Sequence, residues 1–287
     1  MKSAARFAAL SLLLLVSSGP ARAETTACAA ITSVPYTISA PGIYCLTESL
    51  SMSSAAGNAI TIAADDVVVD LNGHTLDGSG AGTATTASGI ATSGDLKNVT
   101  VRNGTVRGFF VGVGLSGTVP FTTSQGYVVE RMRADRNTLI GIGVQGRGGI
   151  VRDNLIVKTG GSTAPAAGGA YTVKAVWGSG PGVYIVNNRI IETIEPAIGS
   201  ASGVLLTFAP GAAVERNFIS DAAAGTKSVG ISVYFCEKVT VVGNRIVNVT
   251  DGISYGGSTG LYMGNTVSGS GWPYTGGTAA GATNFSF

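Results

Sequence analysis

The feature that most constrains this chain is a column of asparagines. Asn154, Asn188, Asn217, Asn244 and Asn265 follow one another at intervals of 34, 29, 27 and 21 residues. Counting back, Met132, Gly104 and Gly73 hold the same place, at intervals of 22, 28 and 31. Two positions after each occupant from Gly104 onward stands an apolar residue: Val106, Ala134, Ile156, Ile190, Ile219, Ile246 and Val267. Three positions before stand Val101, Val129, Val151, Ile185, Val214, Val241 and Tyr262. Fixed offsets around a corner, with variable distance between corners, describe one short unit repeated and joined by loops of different length.

Residues 65–78, DDVVVDLNGHTLDG, show what the unit is. Val67, Val69 and Leu71 alternate with Asp66, Val68 and Asp70, the period-two pattern of a strand with one buried face. Asn72-Gly73 breaks the strand with residues that tolerate positive φ, and Leu76 resumes the inward face one position late because His74 is inserted. A second motif leads the coils: Gly89-Ile90, Gly112-Val113, Gly141-Ile142, Gly203-Val204, Gly230-Ile231 and Gly252-Ile253. Each coil therefore carries three short strands. The asparagines are expected to stack in register at one corner, most with positive φ, and the glycines of the second motif to face outward.

Composition agrees with a solenoid. Charged residues make up 12% of the chain, about half the usual share of roughly 25%, and there are 43 glycines. Recurrent Val and Ile pairs supply the burial that a disordered glycine-rich chain lacks. A net charge of +2 and a single histidine give no basic tract for nucleic acid. Lys2 and Arg6 before an apolar run from Phe7 to Val16, then Ala21-Arg22-Ala23, read as a secretory signal over residues 1–23, too short for a membrane span. No later segment is long and apolar enough to cross. Residues 24–54 read as an N-terminal cap held by a Cys28–Cys45 disulfide, which an exported protein retains. Residues 55–287 read as the repeat body with a C-terminal cap. The leftover Cys236 reads as a buried, inert thiol, and the glycine-rich stretch near 160–170 as a loop.

The LNGHTLDG stretch and the asparagine corner resemble the right-handed parallel β-helix proteins of the pectate-lyase-like superfamily, over about residues 55–270. The resemblance implies an all-β, single-stranded right-handed parallel β-helix of three sheets and about eight coils. It places the asparagine corner between the second and third sheets. The Gly-Ile strands then form the first sheet, whose outer face and flanking loops usually hold substrate. It implies a polysaccharide or oligosaccharide as partner, cleaved in lyase or glycoside hydrolase fashion. No cofactor is implied, and the calcium-binding aspartate clusters of pectate lyases are not visible. The rival is a non-catalytic carbohydrate-binding or surface module, since that fold hosts many activities.

The candidate residues follow from alternation on the first sheet. Lys174 faces outward in either register; it or Tyr234 is the candidate base of a lyase, assisted by Arg147. Glu192 and Asp221, two residues past Ile190 and Ile219, with Glu195 and Asp251, supply the carboxylate pair a hydrolase needs. Gln145, Arg147, Trp177 and Thr207 are candidate substrate-binding residues. His74 sits at an inserted corner position and reads as packing. Asp70, Arg102, Glu130 and Arg152 fall on successive coils of the second sheet and read as a structural charge ladder.

Overall fold

The computed structural model describes residues 27–121, 123–165, 171–221, 226–280 and 284–287; the segment read as a signal lies outside these, as does part of the 160–170 loop. Among the described residues the only helical turn is Ser79–Ala81, and every strand pairing is parallel. A ten-stranded sheet runs from Tyr36–Ile38 to Trp272–Thr275. A nineteen-stranded sheet folds over a corner into two further ladders. They count as one sheet because Val99–Arg107 and Val128–Asp135 run through the corner unbroken and pair on both sides of it. The chain thus winds as a parallel β-helix with three faces.

Hydrophobic alternation sets the register. Val101, Val129, Val151, Ile185, Val214 and Val241 pair coil to coil and are all buried, as are Ile156, Ile190, Ile219 and Ile246 on the third face. On the first face Ile90, Val113, Ile142, Val204, Ile231 and Ile253 align, with Val176 supplying the rung whose glycine is replaced by Ala175. These columns fill the interior.

The asparagine column stacks as expected, and the chain continues it with Asn284. Asn188 Nδ2 donates to Asn217 Oδ1 at 3.0 Å, Asn217 to Asn244 at 3.0 Å, and Asn244 to Asn265 at 3.0 Å. Each oxygen also accepts the backbone N–H of the preceding asparagine. The positive φ does not fall on these residues. It falls one residue earlier, at Asp153 (58°), Asn187 (55°), Arg216 (52°), Gly243 (64°) and Gly264 (64°). The left-handed residue makes the bend, and the asparagine after it is thereby turned into the core, where its amide satisfies buried backbone groups.

The glycines of the Gly-Ile motif also differ from expectation: they face inward. A Cβ on Gly203 would stand 2.6 Å from Ile219 Cγ2, and one on Gly230 would stand 2.6 Å from Ile246 Cγ2. Two consecutive inward positions, glycine then Ile or Val, bring the third face tightly against the first. Only hydrogen fits at the first of them.

At the N-terminus Cys28 and Cys45 are bridged with a Cα–Cα distance of 5.8 Å. Ala29–Ile31 pairs with Gly42–Leu46, which pairs with Val67–Asp70, so this segment enters the same ladders as the repeats it covers. Cys236 is buried; its thiol donates to Tyr234 O at 3.1 Å and accepts from Ala209 N at 3.2 Å. Burial pushes its pKa up, which disfavours the thiolate. On the second sheet Arg102 pairs with Asp70 at 2.8 Å and Arg152 with Glu130 at 2.8 Å. In both pairs the arginine is partly exposed and the acid largely buried, and each contributes on the order of 1 kcal/mol. His74 is half-buried at its corner, its backbone N–H donating to Leu71 O at 2.7 Å.

Candidate functional site

Because successive strands of the first sheet are in register, outward side chains line up in rows across it. One row reads Ile140, Lys174, Ser202, Val229, Asp251 and Trp272. The next reads Gly143, Trp177, Leu205, Ser232 and Ser254, and the third Gln145, Ser179, Thr207, Tyr234 and Gly256. Small residues in these rows leave the sheet surface open. A cleft of about 480 Å³ lies over it, floored by Ser202, Val229, Asp251, Leu205, Ser232, Thr207 and Tyr234. Thr226 and Lys227 border it on the side where the chain enters the sheet, and Phe235 where the chain leaves.

Hydroxyls dominate the floor. Ser202 Oγ and Ser232 Oγ are 3.0 Å apart, and both side chains are buried at the bottom of the cleft. Asp251 is the carboxylate of the lining among the described residues. It occupies a place on the sheet itself, in the same row as Lys174, and burial raises its pKa. Neighbouring coils are about 4.8 Å apart, so the three steps from Lys174 through Ser202 and Val229 to Asp251 separate their backbones by about 14 Å.

Lys174 stands one coil before Ser202 in the same row and is not part of the cleft lining. Its ammonium donates to Thr172 O at 2.8 Å and lies 5.0 Å from the Trp177 ring centroid. Burial lowers its pKa. Trp177 Nε1 in turn donates to Thr207 Oγ1 at 2.9 Å. Lys174, Trp177, Thr207, Tyr234 and Asp251 are therefore brought onto one surface.

The remaining candidates lie elsewhere. Glu192 pairs with Lys158 at 3.4 Å, on the bend between the third and first sheets. Asp221 follows on the next coil of that bend and accepts from Thr193 N at 2.9 Å. Its pKa is pushed up to about 6, mainly by burial, with the Thr193 N–H opposing and the charges of Glu195 and Glu192 adding to it. Glu195 accepts the backbone N–H of Thr226 at 3.2 Å and of Lys227 at 2.9 Å, so it holds the rim of the cleft in place. These three acids form one electrostatic group, separate from Asp251. Gln145 is two coils from Thr207, and exposed Arg147 lies past the strand end, its backbone N–H donating to Ser124 O at 2.9 Å.

Sequence reasoning missed Ser202, Lys227 and Phe235. Ser202 had a signal: like Asp251, it immediately precedes the glycine of a Gly-Ile pair, and that glycine faces in, so the residue before it faces out. Lys227 and Phe235 stand on loops, where no alternation applies. Among the described residues no group of three or more His, Cys, Asp or Glu is arranged to hold a metal ion. No helix of the described residues is long and apolar enough to cross a membrane.

No protein-family model matches the sequence, and no curated protein does either. Solved structures do match. The enzymatically active domain of bacteriophage CBA120 tailspike protein 2 aligns over 83% of this chain with a TM-score of 0.63 and 12% identity. The fold is a parallel β-helix. The full-length tailspike protein 2 aligns over 87% of this β-helix with a TM-score of 0.52 and 14% identity. The chain spans 38% and 33% of the lengths of those two tailspike chains. The A-module of Azotobacter vinelandii mannuronan C-5 epimerase aligns over 85% of this chain and 81% of its own, with 13% identity and a TM-score of 0.49.

Proposed function

We propose that this protein is an exported polysaccharide-active β-helix that binds a glycan in the first-sheet cleft and cleaves it with Asp251 as the acid. The observation that carries this reading is the cleft lining: Ser202, Ser232, Thr207 and Tyr234 offer hydroxyls, Lys227 a cation, and Asp251 a carboxyl group kept closer to its protonated form by burial. Hydroxyls pair with sugar hydroxyls in either direction. A carboxyl with a raised pKa is suited to protonate a glycosidic oxygen. Tyr234, 38% exposed, stands at the far end of the cleft, on the row that pairs with Gly256, and offers its hydroxyl to another part of the bound glycan. The Cys28–Cys45 bridge agrees with export.

The rival is a glycan-binding module without turnover. One observation favours it: Glu192 and Asp221 belong to the bend and not to the cleft lining, so the lining holds one carboxylate where hydrolysis ordinarily uses two.

A polysaccharide panel read both for new reducing ends and for unsaturated products separates the two. The enzyme reading expects turnover that Asp251→Asn lowers by about 100-fold or more and Tyr234→Phe also lowers, while Glu192→Gln leaves it unchanged. Binding without product in every case overturns cleavage. Turnover that survives both Asp251→Asn and Tyr234→Phe overturns the site.

A further inference from the structure

Phe208 and Phe235 end successive first-sheet strands, at the bend by which the chain leaves the sheet. Their backbones are left-handed, with φ of 51° and 54°, a conformation bulky side chains seldom adopt. Their rings are stacked at 5.5 Å between centroids with planes 12° apart, yet are 55% and 66% exposed. Neither ring serves the core. The same bend is left-handed at Gly180 and Gly257 on the neighbouring coils, where glycine meets it without strain.

Phe235 lines two spaces at once. One is the cleft over the sheet; the other is an apolar groove of about 350 Å³ beside it, walled by Phe121, Pro181, Phe208, Pro210 and Phe235. The Phe235 ring is the lining residue they share. On the next coil Gly256 gives the Tyr234 ring its seat, since a Cβ there would collide with it. Gly257, one residue on, leaves open space, for a Cβ there would meet nothing within 4 Å. The approach to Phe235 from that side is clear. Among the described residues Glu237 is the one charged side chain lining the groove. An anionic sugar would meet a like charge with no cation to offset it.

We infer that the Phe208–Phe235 rim is a stacking subsite for an uncharged pyranose residue, one unit along from the sugars in the cleft. This rests on the glycan reading above and assigns the sugar class at one position of the chain it binds. The apolar C–H face of the sugar lies on the phenylalanine rim, and Glu237 accepts a hydroxyl hydrogen bond.

The test is affinity electrophoresis of the full chain through gels cast with neutral polysaccharides (dextran, galactomannan, xylan) or acidic ones (polygalacturonate, alginate). Retardation in a neutral gel is expected. Phe235→Ala and Phe208→Ala should weaken it about 10-fold, the scale of a lost aromatic contact at a binding site. Phe235→Tyr should restore it, and Phe235→Leu, which keeps apolar bulk without a ring face, should not. Unchanged circular dichroism keeps the comparison on folded protein. If the wild type is retarded by no polysaccharide, the glycan reading falls and the subsite with it. If it is retarded and both alanine variants migrate like wild type, the subsite alone is overturned. Retardation only in acidic gels overturns the uncharged assignment. If the alanine variants instead abolish self-association in sedimentation and leave glycan binding intact, the rim belongs to a second copy of the chain.

Discussion

Asn217 Oδ1 accepts two hydrogen bonds from Asn188, one from its side-chain amide at 3.0 Å and one from its backbone N–H at 2.9 Å. One oxygen thus satisfies two buried donors of the preceding coil, while Asn217 Nδ2 reaches Ile185 O at 3.0 Å. Replacing Asn217 by alanine takes the acceptor from the buried Asn188 N–H and breaks the column, while Asn188 Nδ2 keeps Val151 O and Val186 O. We expect Asn217→Ala to lower stability by about 3 kcal/mol, more than a typical surface substitution. A denaturant midpoint equal to wild type would show that the column contributes nothing to stability.

Gly230 tests the inward turn of the Gly-Ile motif. Its added Cβ would lie 2.6 Å from both Gly252 O and Ile246 Cγ2, between two coils and against the third face. Backbone on one side and core on the other leave no easy relaxation. Gly230→Ala should cost about 2 kcal/mol or more by overpacking, whereas Gly257→Ala, with open space around it, is strained only by its φ of 62°. Equal thermal midpoints for the two variants would contradict the inward placement.

Asp221 makes stability depend on pH in an unusual direction for an acid. Its folded pKa is about 6, above the ordinary 3.8, so between these values the folded chain holds a proton that the unfolded chain has released. The contribution is favourable at low pH and is lost as pH rises from about 4 to 6. Across that window the loss is about 2–3 kcal/mol by linkage. Asp221→Asn keeps an oxygen for the Thr193 N–H and removes the charge, so it should be more stable than wild type at pH 7.5 and nearly equal at pH 4. Parallel stability curves for the two proteins across that range would refute the assignment.

Lys174 is read out by its neighbour. Its ammonium lies over Trp177, one of two tryptophans in the chain; the other, Trp272, is 64% exposed and borders Asp251. Burial lowers the Lys174 pKa from the usual 10.5, so the Trp177 emission should change at a pH below that of an ordinary lysine. Lys174→Met should abolish that step and leave Trp272 unchanged. A titration centred at or above 10.5 would place the ammonium in water.

Much of the fold was legible because a solenoid repeats its own constraints. The apolar columns three residues before and two after the corner recur from Val101 to Val267, and each is an inward position set by strand periodicity. The bridge of Cys28 and Cys45 and the burial of Cys236 follow from position and composition. What periodicity cannot give is the direction of residues at bends. The left-handed bend falls on Asp153, Asn187 and Arg216, not on the asparagines after them, because the bend turns the following side chain inward. The Gly203 and Gly230 hydrogens face the core because two successive inward positions interrupt the alternation there.

The candidate site divides along the same line. The sequence by itself determined that Lys174, Trp177, Thr207 and Tyr234 share the outer face of one sheet, since they sit at fixed steps from aligned core residues. Only the tertiary structure decided which acids accompany them. Asp251 comes onto the sheet through its pairing with Val229, while Glu192 is drawn away by Lys158 and Asp221 is closed in under Thr193. Those outcomes depend on how loops of unequal length bring consecutive coils together, and local strand pattern carries no information about that distance.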